Sequence, residues 1–195
     1  WEENSFPGML GNVIAGRIAN RLNLGGTNCT VDAACASSLS AMKMAISDLL
    51  EYRADMMIAG GVDADNSPMM YMCFSKTPAF TKGEHPRPFD ENSGGVMIGE
   101  GMGMVVLKRL EDAKREGDNI YAILKGIGSS SDGKFKSIYA PRSGGQSKAL
   151  RRAYEDADID PMSIGLIEAH GTGTAAGDLA EFEGLKEVFS KNNNK

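Results

Sequence analysis

Between Cys35 and Val62 the chain changes its hydrophobic period with almost no spacer, and that change restricts what it can fold into. From Cys35 to Tyr52, the residues Leu39, Met42, Ile46, Leu49 and Leu50 recur on one side of a helix. From Met56 to Val62 every residue is apolar or glycine, the pattern of a buried strand that turns at Gly60-Gly61. The same alternation continues outward. Gly8–Leu22, Glu111–Glu116, Gly144–Ala157 (closed by Asp160-Pro161) and Asp178–Phe189 read as helices. Asn28–Ala34, the run within Val96–Arg109 that ends in Met104–Leu107, Ile120–Ile127 and Ile164–Ala169 read as strands. Asp63–Asn92, with Pro68, Pro78, Pro86 and Pro88, reads as a long irregular region. Strands separated by helices predict an α/β fold with a mainly parallel sheet.

Composition narrows the function classes. Hydrophobic residues make up 42% and charged residues 24% of 195, ordinary for a globular chain with a core. No apolar run approaches the roughly 20 residues of a membrane helix, and Trp1-Glu-Glu-Asn does not open like a secretory signal. The absent initiator Met suggests a piece of a longer chain, and the tail from Ser190 to Lys195 carries no terminal motif. Net charge is −5, with no aromatic-basic stripe, which argues against nucleic acid as a partner. Cys29, Cys35 and Cys73 form no CxxC pair and no even set, which fits a reducing cytoplasm. No zinc spacing, Walker lysine or complete calcium loop is present, which argues against a zinc site, a calcium loop and a phosphate-binding loop.

Two segments remain that could carry chemistry. In Asn28–Leu39 a predicted strand stops at small residues and a helix begins at or beside Cys35. Ala33, Ala34 and Ala36 permit the sharp turn that lifts a nucleophile off a sheet edge. Unpaired N–H groups at a helix start favour an anionic sulfur and can hold a developing oxyanion. A free cysteine at such a junction is as often plain packing, and the segment alone leaves both readings open. The second segment, Ile167-Glu-Ala-His-Gly-Thr-Gly-Thr174, places His170 at the carboxyl end of a predicted strand, where open α/β sheets bind ligands. A lone histidine is more often structural. His85, the only other one, lies in a Pro-rich loop and reads as solvated.

Taken together these segments resemble the β-ketoacyl synthases, the condensing enzymes of the thiolase superfamily. Val31-Asp-Ala-Ala-Cys-Ala-Ser-Ser-Leu39 is similar to the family's active-site cysteine motif. Glu168-Ala-His-Gly-Thr-Gly-Thr174 with Gly177-Asp178 is similar to its first histidine motif. Arg87-Pro-Phe-Asp90, Gly99–Lys108 and Gly16-Arg-Ile-Ala-Asn-Arg21 match the intervening and leading patterns, so the resemblance spans essentially residues 1–195. Asp32–Ser38 and Lys76–His85 resemble the bacterial polyunsaturated fatty acid synthases, with polyketide synthases as near neighbours. The chain departs from the family at Ala33 and Ala36, where Thr and Ser are usual, and it contains neither the second His motif nor the Gly-Phe-Gly segment.

The resemblance implies a partial thiolase-like fold, layered αβαβα and incomplete at both ends. It also implies a decarboxylative Claisen condensation. An acyl group is held on Cys35, and an enolate from a malonyl thioester is stabilised by His170 and a second His. No cofactor is implied beyond the phosphopantetheine of an acyl carrier protein partner, and members pair as homodimers. Glu181 matches an acidic residue expected to orient the polar network, Thr172 and Thr174 match pantetheine-contacting positions, and Phe74 falls in the acyl pocket wall, with ordinary core packing as its alternative. Lys148, Arg151 and Arg152, or Lys108, Arg109, Lys114 and Arg115, are the basic groups expected to meet an acidic carrier. A degradative thiolase and a non-catalytic chain-length factor are the rival readings, and residues 1–195 alone are expected not to turn over.

Overall fold

The computed structural model describes residues 2–77 and 79–190; Trp1, Pro78 and the tail 191–195 lie outside them. Its helices are α1 (Ser5–Gly8), α2 (Ile14–Leu22), α3 (Ser37–Leu50), α4 (Pro68–Ser75), α5 (Leu110–Glu116), α6 (Ser143–Ala157) and α7 (Ala175–Phe189), with strands β1 (Met56–Asp63) and β2 (Gly101–Lys108). The chain forms two compact units, Trp1–Ala64 with Glu100–Ile123, and Asp65–Gly99 with Leu124–Lys195.

In the first unit β1 pairs with β2 antiparallel, in a register running from Met56 opposite Lys108 to Asp63 opposite Gly101. The two-residue period of a strand puts Met57, Ala59 and Gly61 on one face. α3 lies on that face, where a side chain at position 61 would meet Ser38 Cβ at 3.0 Å. Ala45, Leu49 and Ala59 are buried between helix and sheet. Met56, Val62, Met102, Met104 and Val106, on the opposite face, are exposed. Arg109 ties the corner. Its guanidinium donates to the carbonyls of Leu49 (2.8 Å) and Ala54 (2.7 Å), pairs with Asp55 and Asp112, and stacks 4.5 Å from the Tyr52 ring centroid. The guanidiniums of Arg115 and Arg109 hold the Asp112 carboxyl below the usual carboxylate range.

In the second unit α6 packs on α7. Ser147 is buried and Gly184 lets the helices approach, since a Cβ there would lie 3.2 Å from the Ser143 carbonyl oxygen. Tyr154 meets Phe189 edge-on at 5.7 Å. The proline-rich stretch 63–92 contains α4, a helix not expected from the sequence. Ser67 caps it, accepting from the Met70 N–H at 3.4 Å, and Pro68 takes the first helical position, where a missing N–H costs nothing.

Three expected strands, 28–34, 120–127 and 164–169, are not formed, and the one sheet among the described residues is antiparallel where a parallel one was expected. Among the described residues a parallel contact occurs only as a single bridge, Phe80 to Val96. The physical reason is pairing. A strand exists only where a neighbour supplies its N–H and C=O partners, and these segments find none among the described residues; Tyr121 is 94% and Leu166 87% exposed. The segment 126–128 lies instead against α6, so close that a Cβ on Gly128 would fall 2.1 Å from the Ala149 carbonyl oxygen. No described helix is long and apolar enough to cross a membrane.

Candidate active site

Cys35 belongs to the first unit; Phe74, His170, Thr172, Thr174 and Glu181 belong to the second. Cys35 sits in a single 3-10 turn, Ala34–Ala36, that leads directly into α3. The residue before it, Ala34, has φ +51°, a left-handed conformation that costs an L-residue about 1–2 kcal/mol. Such strain persists only where neighbours over-determine it. Here Asp32 Oδ1 accepts from the Ala34 N–H at 3.0 Å. Ser37 Oγ accepts from the Ala33 N–H at 2.9 Å and donates to the Ala34 carbonyl at 2.7 Å. The Ala36 N–H closes back on the Ala33 carbonyl at 3.1 Å. The Cys35 N–H donates to none of the described residues, and the Cys35 side chain is exposed. The sharp turn expected at the small residues is therefore present, although no strand leads into it.

The loop carrying His170 is built differently. Thr174 caps α7, its hydroxyl accepting from the Gly177 N–H at 3.1 Å. One turn into that helix, Asp178 and Glu181 stand three residues apart and so share a face. Glu181 accepts from the N–H groups of His170 (2.6 Å) and Gly171 (2.8 Å). Asp178, only 6% exposed, accepts from the N–H groups of Gly173 (3.0 Å) and Phe89 (2.7 Å). Ser93 Oγ donates to the Gly173 carbonyl and lies 3.4 Å from Asp178 Oδ2. The backbone of Gly95 donates to that same carbonyl at 2.8 Å. Gly173 has φ +73°, and a Cβ there would lie 2.8 Å from the Gly95 carbonyl oxygen, so only glycine fits. His170 is exposed at the edge of this framework.

Glu181 thus holds the backbone of the His170 loop. Thr172 and Thr174 bond each other at 2.9 Å and cap local N–H groups, so their hydroxyls are already engaged within the loop. Phe74 and Tyr71, both on α4, meet Phe80 beyond its end, with ring centroids at 5.8 and 5.7 Å; Met69 and Met72 are exposed. Sequence reading did not single out Asp178, Ser93 or Phe89 for these roles. The three-residue spacing of Asp178 and Glu181 just after a capping threonine was the available signal. The expected basic docking groups are largely spent on neighbours: Lys108 pairs with Glu116 and Asp118, Arg115 with Asp112 and Glu116, and Arg151 with Glu187. Arg152 donates to the Ser129 carbonyl. A charge already paired contributes less to a distant partner than a formal count suggests. No three His, Cys, Asp or Glu side chains among the described residues form a metal-binding group.

Comparison with known proteins accounts for both segments. Residues 2–113 match the family described as "Beta-ketoacyl synthase, N-terminal domain", and residues 121–195 match "Beta-ketoacyl synthase, C-terminal domain". A polyunsaturated fatty acid synthase polypeptide of Thraustochytrium sp. is 54% identical over 191 residues, 98% of this chain and 7% of that protein. Polyketide synthase PksN of Bacillus subtilis is 40% identical over 173 residues, 89% of this chain and 3% of that protein. The chain therefore spans less than a tenth of the length of these relatives. Among solved structures, the ketosynthase from module 6 of the bacillaene synthase of Bacillus subtilis 168 superposes with a TM-score of 0.90 at 37% identity, covering 100% of this chain and 36% of that one. A structure titled "PfaC Keto synthase-Chain length factor" superposes with a TM-score of 0.91 at 44% identity, covering 96% and 20%. The fold is the α/β thiolase-like fold of those ketosynthases, in part, and the chain belongs to the β-ketoacyl synthase family.

Proposed function

We propose that this chain supplies the acyl-accepting half of a β-ketoacyl-[acyl-carrier-protein] synthase acting in polyunsaturated fatty acid or polyketide biosynthesis. The observation that carries the reading is the strained turn at Cys35, which leaves the thiol exposed beside an N–H with no described partner. In the first half-reaction Cys35 Sγ attacks the carbonyl of an acyl thioester, and the Cys35 N–H stabilises the oxyanion that forms. The carrier's pantetheine thiol leaves with the proton, and the acyl group stays on sulfur. In the second, a malonyl thioester loses carbon dioxide, and its enolate carbon attacks the acyl-Cys35 carbonyl. Collapse of the adduct returns the electron pair to Cys35 Sγ and releases a β-ketoacyl thioester. His170, held at its backbone by Glu181, donates to the enolate oxygen. The thioester itself stabilises the carbanion, so the reading calls for no metal or organic cofactor.

An acyl carrier protein in the cytoplasm is the partner this chemistry requires, and a homodimer is the assembly the family resemblance implies. Phe74 belongs to the acyl pocket in this reading, and Thr172 and Thr174 lie beside the pantetheine arm. No second His motif falls within residues 1–195, so condensation is assigned to the full-length protein. The nucleophile at position 35 weighs against a chain-length factor, and Cys29 and Cys73 lie in no thiolase-like motif.

The test is incubation of the full-length protein with an acyl-pantetheine thioester, followed by peptide mass spectrometry. An acyl adduct on Cys35 is expected, absent in Cys35→Ala. His170→Ala is expected to retain the adduct while condensation falls by about 100-fold or more, the range for losing a positioned proton donor. An adduct confined to Cys29 or Cys73, or condensation by Cys35→Ala, would overturn the reading.

A further inference from the structure

We infer that Ser37 is a positioning residue for Cys35: its hydroxyl holds the left-handed Ala34 turn that aims the thiol and keeps the Cys35 N–H open. The inference rests on Cys35 as the acyl acceptor and names the device that sets its geometry. A hydroxyl has one proton to give and lone pairs to receive with. Ser37 uses both on the two sides of one residue, receiving from the Ala33 N–H and giving to the Ala34 carbonyl. Asp32 fixes the Ala34 N–H between them. Ala33 and Ala34 then have every backbone polar group engaged, while the Cys35 N–H has no described partner. Released from the hydroxyl, Ala34 would relax toward the conformations that L-residues prefer. That relaxation rotates the next peptide plane, which carries the Cys35 N–H, and moves Sγ with it.

Ordinary helix capping does not explain this serine. A capping hydroxyl accepts from N–H groups inside the helix, whereas Ser37, the first residue of α3, reaches backward to residues that precede it. The N-cap position itself is Ala36, with no side-chain bond. α3 is anchored elsewhere, by Ala45 and Leu49 and by Ser38 against Gly61. Removing the hydroxyl is therefore expected to disturb the turn and spare the helix.

The experiment is single-turnover acyl transfer from an acyl-pantetheine thioester to Cys35 in the full-length protein, with thermal unfolding measured in parallel. Ser37→Ala is expected to slow transfer by about 10-fold at unchanged half-saturation, below the loss typical of deleting an oxyanion donor outright. Ser37→Thr keeps the hydroxyl and is expected to restore the rate to within about threefold. Transfer at the wild-type rate in Ser37→Ala, or equal slowing in both variants, would overturn the inference. Should Ser37→Ala fail to fold, the double variant Ser37→Ala with Ala34→Gly replaces it, because glycine enters the left-handed region freely. Transfer well below that of Ala34→Gly alone supports Ser37 as the residue that holds the turn, and a rate equal to that single variant's overturns it. A wild-type protein with no adduct on Cys35 overturns the functional reading and this inference together. A wild-type adduct with indifferent Ser37 variants overturns this inference alone.

Discussion

The turn at Cys35 and the loop at His170 both use left-handed backbone, yet they are held by opposite means. At Cys35 every brace comes from within a few residues: Asp32, Ser37 and the Ala36–Ala33 bond. At His170 two carboxylates of α7 clasp the loop, and one of them also grips Phe89 from a segment more than eighty residues away. The N–H groups differ accordingly. Those of His170, Gly171 and Gly173 are all taken by Glu181 and Asp178, and that of Thr174 by Thr172 Oγ1, whereas the Cys35 N–H has no described partner. Backbone stabilisation of an oxyanion is thus available at residue 35, whereas four of the five N–H groups along 170–174 are already engaged. The histidine loop offers a ligand its side chain on a stiff frame.

Asp178→Ala tests the long-range clasp and carries the largest expected effect on stability. It orphans the Gly173 N–H in a buried setting and the Phe89 N–H in a part-buried one. Each orphaned group costs about 1–3 kcal/mol, so a loss on the order of 3 kcal/mol is expected by denaturant unfolding. Asp178→Asn keeps one acceptor but turns an NH2 toward groups that also donate, and an intermediate loss follows. Amide exchange should accelerate most at Phe89 and Gly173. Acceleration no greater there than at Ala33 and Ala34 would break the contrast between the two regions.

Glu181→Ala comes next. Its carboxylate is half-buried, and water can reach part of what it leaves behind, so about 1–2 kcal/mol is expected for two charge-assisted bonds. The more telling readout is functional. Decarboxylation of a malonyl thioester should fall while acyl transfer to Cys35 stays near the wild-type rate. A parallel fall in both would mean that the clasp supports the whole fold and not the histidine loop.

The same contrast explains what could be read from the sequence. The Cys35 turn was legible because its cause is local: three alanines around a cysteine, then a helical period. α3, β1 and α5 were legible for the same reason, each carrying its own periodicity or cap. The helix α4 was hidden because Met69–Phe74 is apolar on every side and sits among prolines, although Ser67-Pro68 announces it. Residues 120–127 and 164–169 have strand composition, but a strand is a relation between segments, and their own residues cannot reveal whether a partner lies alongside. The grip of Asp178 on Phe89 was invisible because that partner, 89 residues away, is brought to it only by the fold. Local propensity reached the Cys35 turn and stopped short of the framework around the histidine.

Ala34→Gly is the smallest expected effect and the sharpest test of the local brace. Alanine at φ +51° costs about 1–2 kcal/mol that glycine does not incur. Glycine also makes the unfolded chain more disordered, which takes back about 0.4–1 kcal/mol. The net change should therefore be neutral to stabilising, by no more than about 1.5 kcal/mol, read as a small rise in the unfolding midpoint. Asp32 and Ser37 remain to hold the turn, so acyl transfer should stay within about threefold of wild type. A marked loss of stability would show that Ala34 does not occupy the left-handed region in solution. A marked loss of transfer with stability intact would show that the methyl of Ala34, rather than the hydroxyl of Ser37, keeps the thiol in place.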